Sequence, residues 1–366
     1  MIITNDFPPR IGGIESFVSE VCALLDHDVV VYASGSAGAA ASDLDRPFRV
    51  IRDGPLLVPT PRVAARAVAL LRASGATRVI FGAAAPLGLL APSLRRAGAR
   101  QILGLTHGHE TWWARLPATR KLLHRIGDNC DHLTAISAYT ECRIAHALSP
   151  AAQRRLLRLA PPVDIERFRP SQRADFRRGA RCISVARLIP QKGVTTLLRA
   201  WRTVMDRASR SGAAREMIIV GGGPLRRRLE RSVHKLRLSG SVRIVGAVPR
   251  AEVITYLQRA DVFALPMRTR LAGLNPEGLC LAALEAAACG LPVIVGDSGG
   301  APETVRDGET GFLVPSHDHQ QLAARLDQLL DNPVLAQDMG SRGRSYVTQH
   351  FGSDVARATL RSALEL

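Results

Sequence analysis

Two carboxylates eight positions apart, Glu277 and Glu285, bracket the run Gly278-Leu279-Cys280-Leu281-Ala282-Ala283-Leu284. Two cations five positions apart, Arg187 and Lys192, follow the apolar run Cys182–Ala186. Cations at the carboxyl end of a strand, with Gly193 beside the lysine, can straddle a diphosphate and neutralise the charge that builds on a departing nucleotide. In a chain with 49 Lys and Arg, a solvated charged loop fits the same residues. Glu277, at the entrance of a helix-like run, suits hydrogen bonds from sugar hydroxyls, or simply the preference of a carboxylate for a helix start. Glu285 lies among Leu284, Ala286, Ala287 and Ala288, where an unpaired carboxylate is costly, so ribose hydroxyls are fitting partners. Eight residues of helix rise about 12 Å, comparable with the reach from a sugar ring across two phosphates to a ribose. The backbone N–H groups of Gly278 and Leu279 would then meet the phosphates.

The first half offers two further groups. Gly12-Gly13 follows a short strand, Ile2-Ile3-Thr4, and opens a helix beginning at Ile14. Glycines let the backbone approach a pyrophosphate, and a helix start offers free N–H donors. The pattern is not G-x-G-x-x-G and no ribose-binding acid follows about 20 residues on, so a plain tight turn fits equally. The second group is His107-Gly108-His109-Glu110, after the strand Gln101–Leu105. An H-x-H pair suggests a metal, yet no third ligand set with zinc spacing accompanies it, and no metal site is expected. His107 reads either as a cleft-lining histidine or as a structural turn residue, with Glu110 able to hold either ring.

These groups need elements to position them. The 366 residues are enough for two domains. Short β-branched runs alternate with helix-like segments throughout, as in parallel α/β sheets. Strands are expected at Ile2–Thr4, Val29–Val31, Arg78–Phe81, Gln101–Leu105, His132–Ile136 and Arg158–Ala160, then at Cys182–Ala186, Met217–Val220, Val242–Val245, Val262–Leu265 and Pro292–Val295. The stretch Pro161–Arg181, with Pro161, Pro162 and Pro170, reads as the linker. Boundaries follow at 1–165 and 166–350, with a last helix at 351–366.

The net charge is +17, which favours nucleic acid, anionic membrane or polyphosphate partners. Its distribution is uneven: between Asp53 and Glu110 there is no acidic residue, while seven Arg occur. Aromatics are only 4% and no stacking pattern or zinc spacing appears, so nucleic acid is not expected. On the helix Pro61–Ala73, Arg62, Arg66 and Arg72 fall within about a third of the circumference. That suits contact with an anionic bilayer; an ordinary sheet-covering helix with a solvated face has the same pattern. The longest uncharged apolar run, Val79–Leu94, is 16 residues with two prolines, short of the roughly 20 a spanning helix needs. Met1–Asp6 has no charged n-region, so no signal peptide is expected. Six Cys without a C-x-x-C pair fit reduced thiols in the cytoplasm.

The ensemble resembles the retaining GT-B glycosyltransferases of family four, over nearly the whole chain. Glu277-x7-Glu285, Arg187-x4-Lys192 and Gly12-Gly13 stand where that family places them. Asn5–Pro9 with Ile11–Ile14, Thr106–Glu110 and Ser298–Thr304 resemble its actinobacterial branch, which moves mannose from GDP-mannose to phosphatidylinositol mannosides. The resemblance implies two Rossmann-like domains facing a cleft, an acceptor domain first and a nucleotide-sugar domain second, with the last helix, 351–366, crossing back to the first. It implies a donor diphosphate held by Gly12, Gly13, Arg187, Lys192 and the Gly278-Leu279-Cys280 turn, and a ribose held by Glu285. It also implies a mannose hydroxyl held by Glu277, and His107 near the reacting carbon. No cofactor is required beyond the GDP-mannose donor, and the enzyme would sit peripherally on the inner face of the cell membrane, bound to its anionic phosphoinositide acceptor. The leaving phosphate would help deprotonate the acceptor, so retention needs no carboxylate nucleophile. The chain departs from the pattern at Ala272, Asn275 and Cys280, which bears on sugar specificity.

Overall fold

The structure is a computed structural model that describes the chain except residues 11, 26–28, 172–179, 212–213 and 271–275. It divides into two compact units, Met1–Pro162 with Ser353–Leu366, and Val163–Gly352.

The first unit is built on a seven-stranded sheet: β1 (Ile2–Thr4), β2 (Val30–Ser34), β3 (Arg49–Asp53), β4 (Arg78–Phe81), β5 (Gln101–Gly104), β6 (His132–Ala135) and β7 (Leu156–Arg158). The order is β3-β2-β1-β4-β5-β6-β7 and every pairing is parallel. Strands buried on both faces read as continuous apolar runs; Val79, Ile80 and Phe81 of β4 are all buried. The helix Pro61–Ser74 is started by Thr60, whose hydroxyl accepts from the Val63 N–H, and by Pro61 in its first turn. It buries Ala67, Leu70 and Leu71 in a core shared with the helices Ala91–Arg96 and Pro117–Asn129. The helix Ser353–Leu364 packs on β5 and on the helix Gly13–Leu24. Arg78 fixes its end by donating to the carbonyls of Leu364 and Glu365, at 2.6 and 2.5 Å.

The second unit has six strands: β8 (Ala180–Val185), β9 (Arg215–Val220), β10 (Val242–Gly246), β11 (Val262–Leu265), β12 (Val293–Gly296) and β13 (Gly311–Val314). Their order is β10-β9-β8-β11-β12-β13, again parallel throughout. This is the 3-2-1-4-5-6 order of a Rossmann sheet, whose ligands bind beyond the strand ends where the order reverses. Here the reversal lies between β8 and β11. The long helix Val194–Ser211 buries Trp201 completely, and the indole N–H donates to Ser241 Oγ at 3.2 Å.

Several expectations shift. β3 and β13 were not anticipated: Arg49-Val50-Ile51-Arg52-Asp53 is flanked by charge, and Gly311-Phe312-Leu313-Val314 is short. The strand expected at Arg158–Ala160 ends at Arg158. The proline-rich linker is ordered in its first part, where Val163 and Phe168 are buried in the second unit. Val163 pairs with Gly352, and Arg344 donates to the carbonyls of Phe168 and Ile165. The remainder of the linker, residues 172–179, lies outside the described residues. Five cysteines are buried, and Cys142 is exposed.

Trp201→Ala should lower stability by about 3–5 kcal/mol, read as a lower denaturant midpoint. An unchanged midpoint would mean that the second core does not close around this ring.

Candidate functional site

In the second unit the expected residues gather at the carboxyl edge of the sheet. The Arg187–Gly193 loop leaves β8 and lies on the turn after β9: Leu188 N–H donates to the Gly222 carbonyl at 2.7 Å, and Leu225 N–H to the Leu188 carbonyl at 3.0 Å. Gly193 ends this loop with φ +66, and a Cβ there would stand 1.8 Å from the Pro266 carbonyl oxygen, just past β11. Only glycine permits that approach. It ties the ends of β8 and β11 together.

Across this junction Lys192 Nζ donates to both oxygens of Glu277, at 2.8 Å each. Both side chains are largely withdrawn from water, at 17% and 13% exposure. Arg187 is exposed. The backbone of Glu277 is held in turn by the segment after β12. Its carbonyl accepts from Gly300 N–H at 2.9 Å, and its N–H donates to Ser298 Oγ at 3.4 Å. Gly299 has φ +58, and a Cβ there would stand 2.0 Å from the Glu277 carbonyl oxygen.

The run between the two carboxylates is not one helix. The helix spans Leu281–Ala288, with Cys280 at its cap and Gly278 and Leu279 ahead of it. Only the steps from Leu281 to Glu285 are helical, a rise of about 6 Å, so the 12 Å helical span does not hold. The short apolar run carries no cap residue that would have located its start. Glu285 is buried and accepts from Arg250 Nη2 at 2.8 Å. Burial pushes its carboxyl up to about 7, against the pull of Arg250 and Arg167. The Arg250 guanidinium also stands over the Phe168 ring, 5.7 Å from its centroid. Cys280 is buried and its thiol is pushed up to about 12, so it is not a nucleophile. The loop with Ala272 and Asn275 lies outside the described residues.

The first unit brings two of its expected groups together. Gly12 and Gly13 open the helix Gly13–Leu24, and Phe17 on that helix meets the His107 ring edge-on at 5.7 Å. His107 Nε2 lies 2.5 Å from the Gly82 carbonyl oxygen, past β4. A carbonyl only accepts, so Nε2 carries the proton and Nδ1 presents a lone pair. Burial holds the ring's pKa below its usual value, so the neutral form prevails near pH 7. Glu110, fully buried, accepts from the N–H groups of His107 and Gly108 at 2.9 and 3.2 Å, and stands 3.2 Å from His109 Nε2. It holds the turn by its backbone. Gly12 is extended at φ −177, and nothing lies within 4 Å of a Cβ built at Gly13, so the fold does not itself demand glycine at position 13. Arg62, Arg66 and Arg72 are exposed.

Arg250 and Gly82 were not foreseen as supporting residues. Neither lies in a motif. Ser298-Gly299-Gly300 after a strand was a usable signal, since paired glycines there imply a close backbone approach.

Comparison with known proteins agrees with this architecture. The family "Glycosyl transferases group 1" matches residues 170–346, and "Glycosyltransferase Family 4" matches residues 11–167. Anabaena Alr3699/HepE, solved in complex with UDP, superposes with a TM-score of 0.82 at 18% identity, covering 100% of this chain and 99% of that one. Sucrose-phosphate synthase from Thermosynechococcus elongatus gives 0.74 at 22% identity, over 99% and 97%. The chain belongs to the family 4 glycosyltransferases and has their two-domain GT-B fold. Within that family it is 41% identical to the GDP-mannose-dependent alpha-(1-6)-phosphatidylinositol monomannoside mannosyltransferase of Mycobacterium tuberculosis, over 100% of this chain and 97% of the relative. The corresponding enzyme of Corynebacterium glutamicum, described as acting on a monoacylated acceptor, is 37% identical over 100% and 97%.

Glu285 gives a prediction with a definite sign. An ordinary glutamate ionises near 4.3, and this one near 7. Its contribution to stability is therefore present below the unfolded value and lost as pH rises through about 7. Glu285→Gln should raise the melting temperature relative to wild type at pH 8 and not at pH 4. A lower melting temperature at pH 8 would show that the Arg250 pair outweighs burial.

Proposed function

We propose that this glycosyltransferase moves mannose from GDP-mannose to a phosphatidylinositol mannoside, with retention of configuration. The observation that carries the reading is full-length likeness to enzymes of that activity, joined to a second sheet whose strand-reversal edge presents Lys192 and Glu277. Arg187 and Lys192 take the donor diphosphate, with the N–H groups of Gly278, Leu279 and Cys280. Glu277 accepts from a mannose hydroxyl and Glu285 from the ribose. Gly12 and Gly13 are assigned to the diphosphate, and His107, neutral, to the sugar near its reacting carbon. The departing phosphate draws the proton from the acceptor hydroxyl on the same face, and Lys192 and Arg187 offset the charge it gains. The reading calls for no cofactor besides the donor.

The acceptor is an anionic lipid, and among the described residues no helix is long and apolar enough to cross a membrane. Peripheral association at the inner face of the cell membrane, through Arg62, Arg66 and Arg72, completes the proposal.

Transfer of labelled mannose to phosphatidylinositol monomannoside tests it. Glu277→Ala should reduce kcat by about a hundredfold or more while leaving GDP affinity nearly unchanged. Loss of GDP binding together with turnover would make Glu277 a structural residue, and transfer from UDP-sugars alone would overturn the donor.

A further inference from the structure

The first unit's helical layer carries a charge asymmetry that extends past the arginine helix. Between Asp53 and Asp128 the sequence contains one acid, Glu110, and its exposure is 0%. Three helices that share one core, Pro61–Ser74, Ala91–Arg96 and Pro117–Asn129, therefore contribute no acid of their own until Asp128 near the end of the third, and the acids that reach them are Asp53 at Arg62, Asp131 at Arg95 and Asp128 at His124. Arg62, Arg66, Arg72, Arg96, Lys121 and Arg125 are all exposed there.

Apolar side chains project where the third helix begins. Trp112, Leu116 and Leu122 are 38%, 48% and 37% exposed. They belong to a hairpin of the short helix Glu110–Trp113 and the helix Pro117–Asn129. The hairpin is firmly built. Trp113 packs on the core, its ring 5.6 Å from that of Trp112, and Thr119 Oγ1 donates to the Trp113 carbonyl at 2.9 Å. Leu123 and Ile126 are fully buried beneath it. One tryptophan thus anchors the hairpin while its neighbour stays outside. Beside them an open pocket is lined by Arg115, Pro117, Arg120, Lys121 and His124. The hairpin follows β5 directly, at the sheet edge that carries His107.

A tryptophan and two leucines amid an excess of cations match the chemistry of a bilayer interface. Indoles settle at head-group depth, leucines enter the acyl boundary, and Arg and Lys meet anionic lipid. A soluble polyanion would use the cations and leave the apolar side chains in water. We infer that the Trp112–Leu122 hairpin is the membrane-inserting element of this enzyme: Trp112, Leu116 and Leu122 enter the interface, and Arg115, Arg120 and Lys121 hold lipid phosphate. The inference rests on the lipid-acceptor reading and adds to it an insertion point beside His107.

The test uses the full chain with vesicles of phosphatidylcholine, with and without phosphatidylinositol, and the variant Trp112→Ser/Leu116→Ser/Leu122→Ser. Wild type should sediment with the anionic vesicles, and brominated lipid should quench its tryptophan emission. The variant should bind at least about tenfold more weakly, and Trp112→Phe should remove most of the quenching. On a deacylated, water-soluble acceptor the triple variant should turn over as wild type does, which also reports that it is folded. Lys121→Glu/Arg125→Glu should weaken anionic binding without abolishing quenching in the bound fraction. Undiminished vesicle binding by the triple variant would overturn the inference, as would binding without quenching, which marks a purely electrostatic or protein-directed surface. Failure of the acceptor reading would instead show as absent turnover on the soluble acceptor by wild type, whatever the vesicles do.

Discussion

The second unit is organised around one ion pair. Lys192 and Glu277 meet at 2.8 Å through both carboxylate oxygens, each mostly shielded from water. Withdrawing two charges from water costs several kcal/mol each, and the mutual attraction compensates only if the geometry is held. Here it is held by backbone on both sides: Gly193 against Pro266 for the lysine, and Ser298, Gly299 and Gly300 around the glutamate. The pair therefore depends on four chain segments, at residues 192–193, 266, 277 and 298–300, that meet at one edge of one sheet.

That edge is a consequence of strand order. With β8 beside β11, the strand order reverses at this junction, the place where parallel α/β sheets bind ligands. Charges already desolvated and oriented there can exchange partners with little reorganisation. On the proposed reading, a diphosphate takes the lysine while a sugar hydroxyl takes the carboxylate, so each charge stays satisfied. The Arg250–Glu285 pair repeats the device deeper in the unit, with the carboxyl held near neutrality by burial. The first unit works differently: its turn is fixed by Glu110 and by the Gly82 carbonyl, and it presents a neutral imidazole.

Much of this was legible in the sequence because the determinants are local. β4 and β11 were placed residue for residue, as continuous apolar runs between turn signals. The alternation of such runs with helices was enough for two parallel sheets. What stayed hidden was set by tertiary context. β3 mixes charge with its apolar residues, because Arg52 is paired with Asp43 and donates to the Ser34 carbonyl. The start of the Leu281–Ala288 helix lacks a side-chain cap. That Lys192 grips Glu277 across 85 residues, or that Arg250 reaches Glu285, follows from sheet order and from no spacing in the chain. The membrane-facing reading of the arginine helix rested on periodicity; the tandem tryptophans beyond it became informative only once Trp113 was seen packed on the core and Trp112 exposed.

Calorimetric titration of GDP into wild type and Lys192→Met, at one pH and ionic strength, tests the account most directly. The account expects GDP to bind wild type more tightly than UDP or ADP, and the variant to remain folded and lose at least about tenfold in GDP affinity, as a charge-assisted phosphate contact would. Equal GDP affinity in the two proteins would contradict it: the lysine would then serve only to hold Glu277, and the junction of β8 and β11 would not be the diphosphate site.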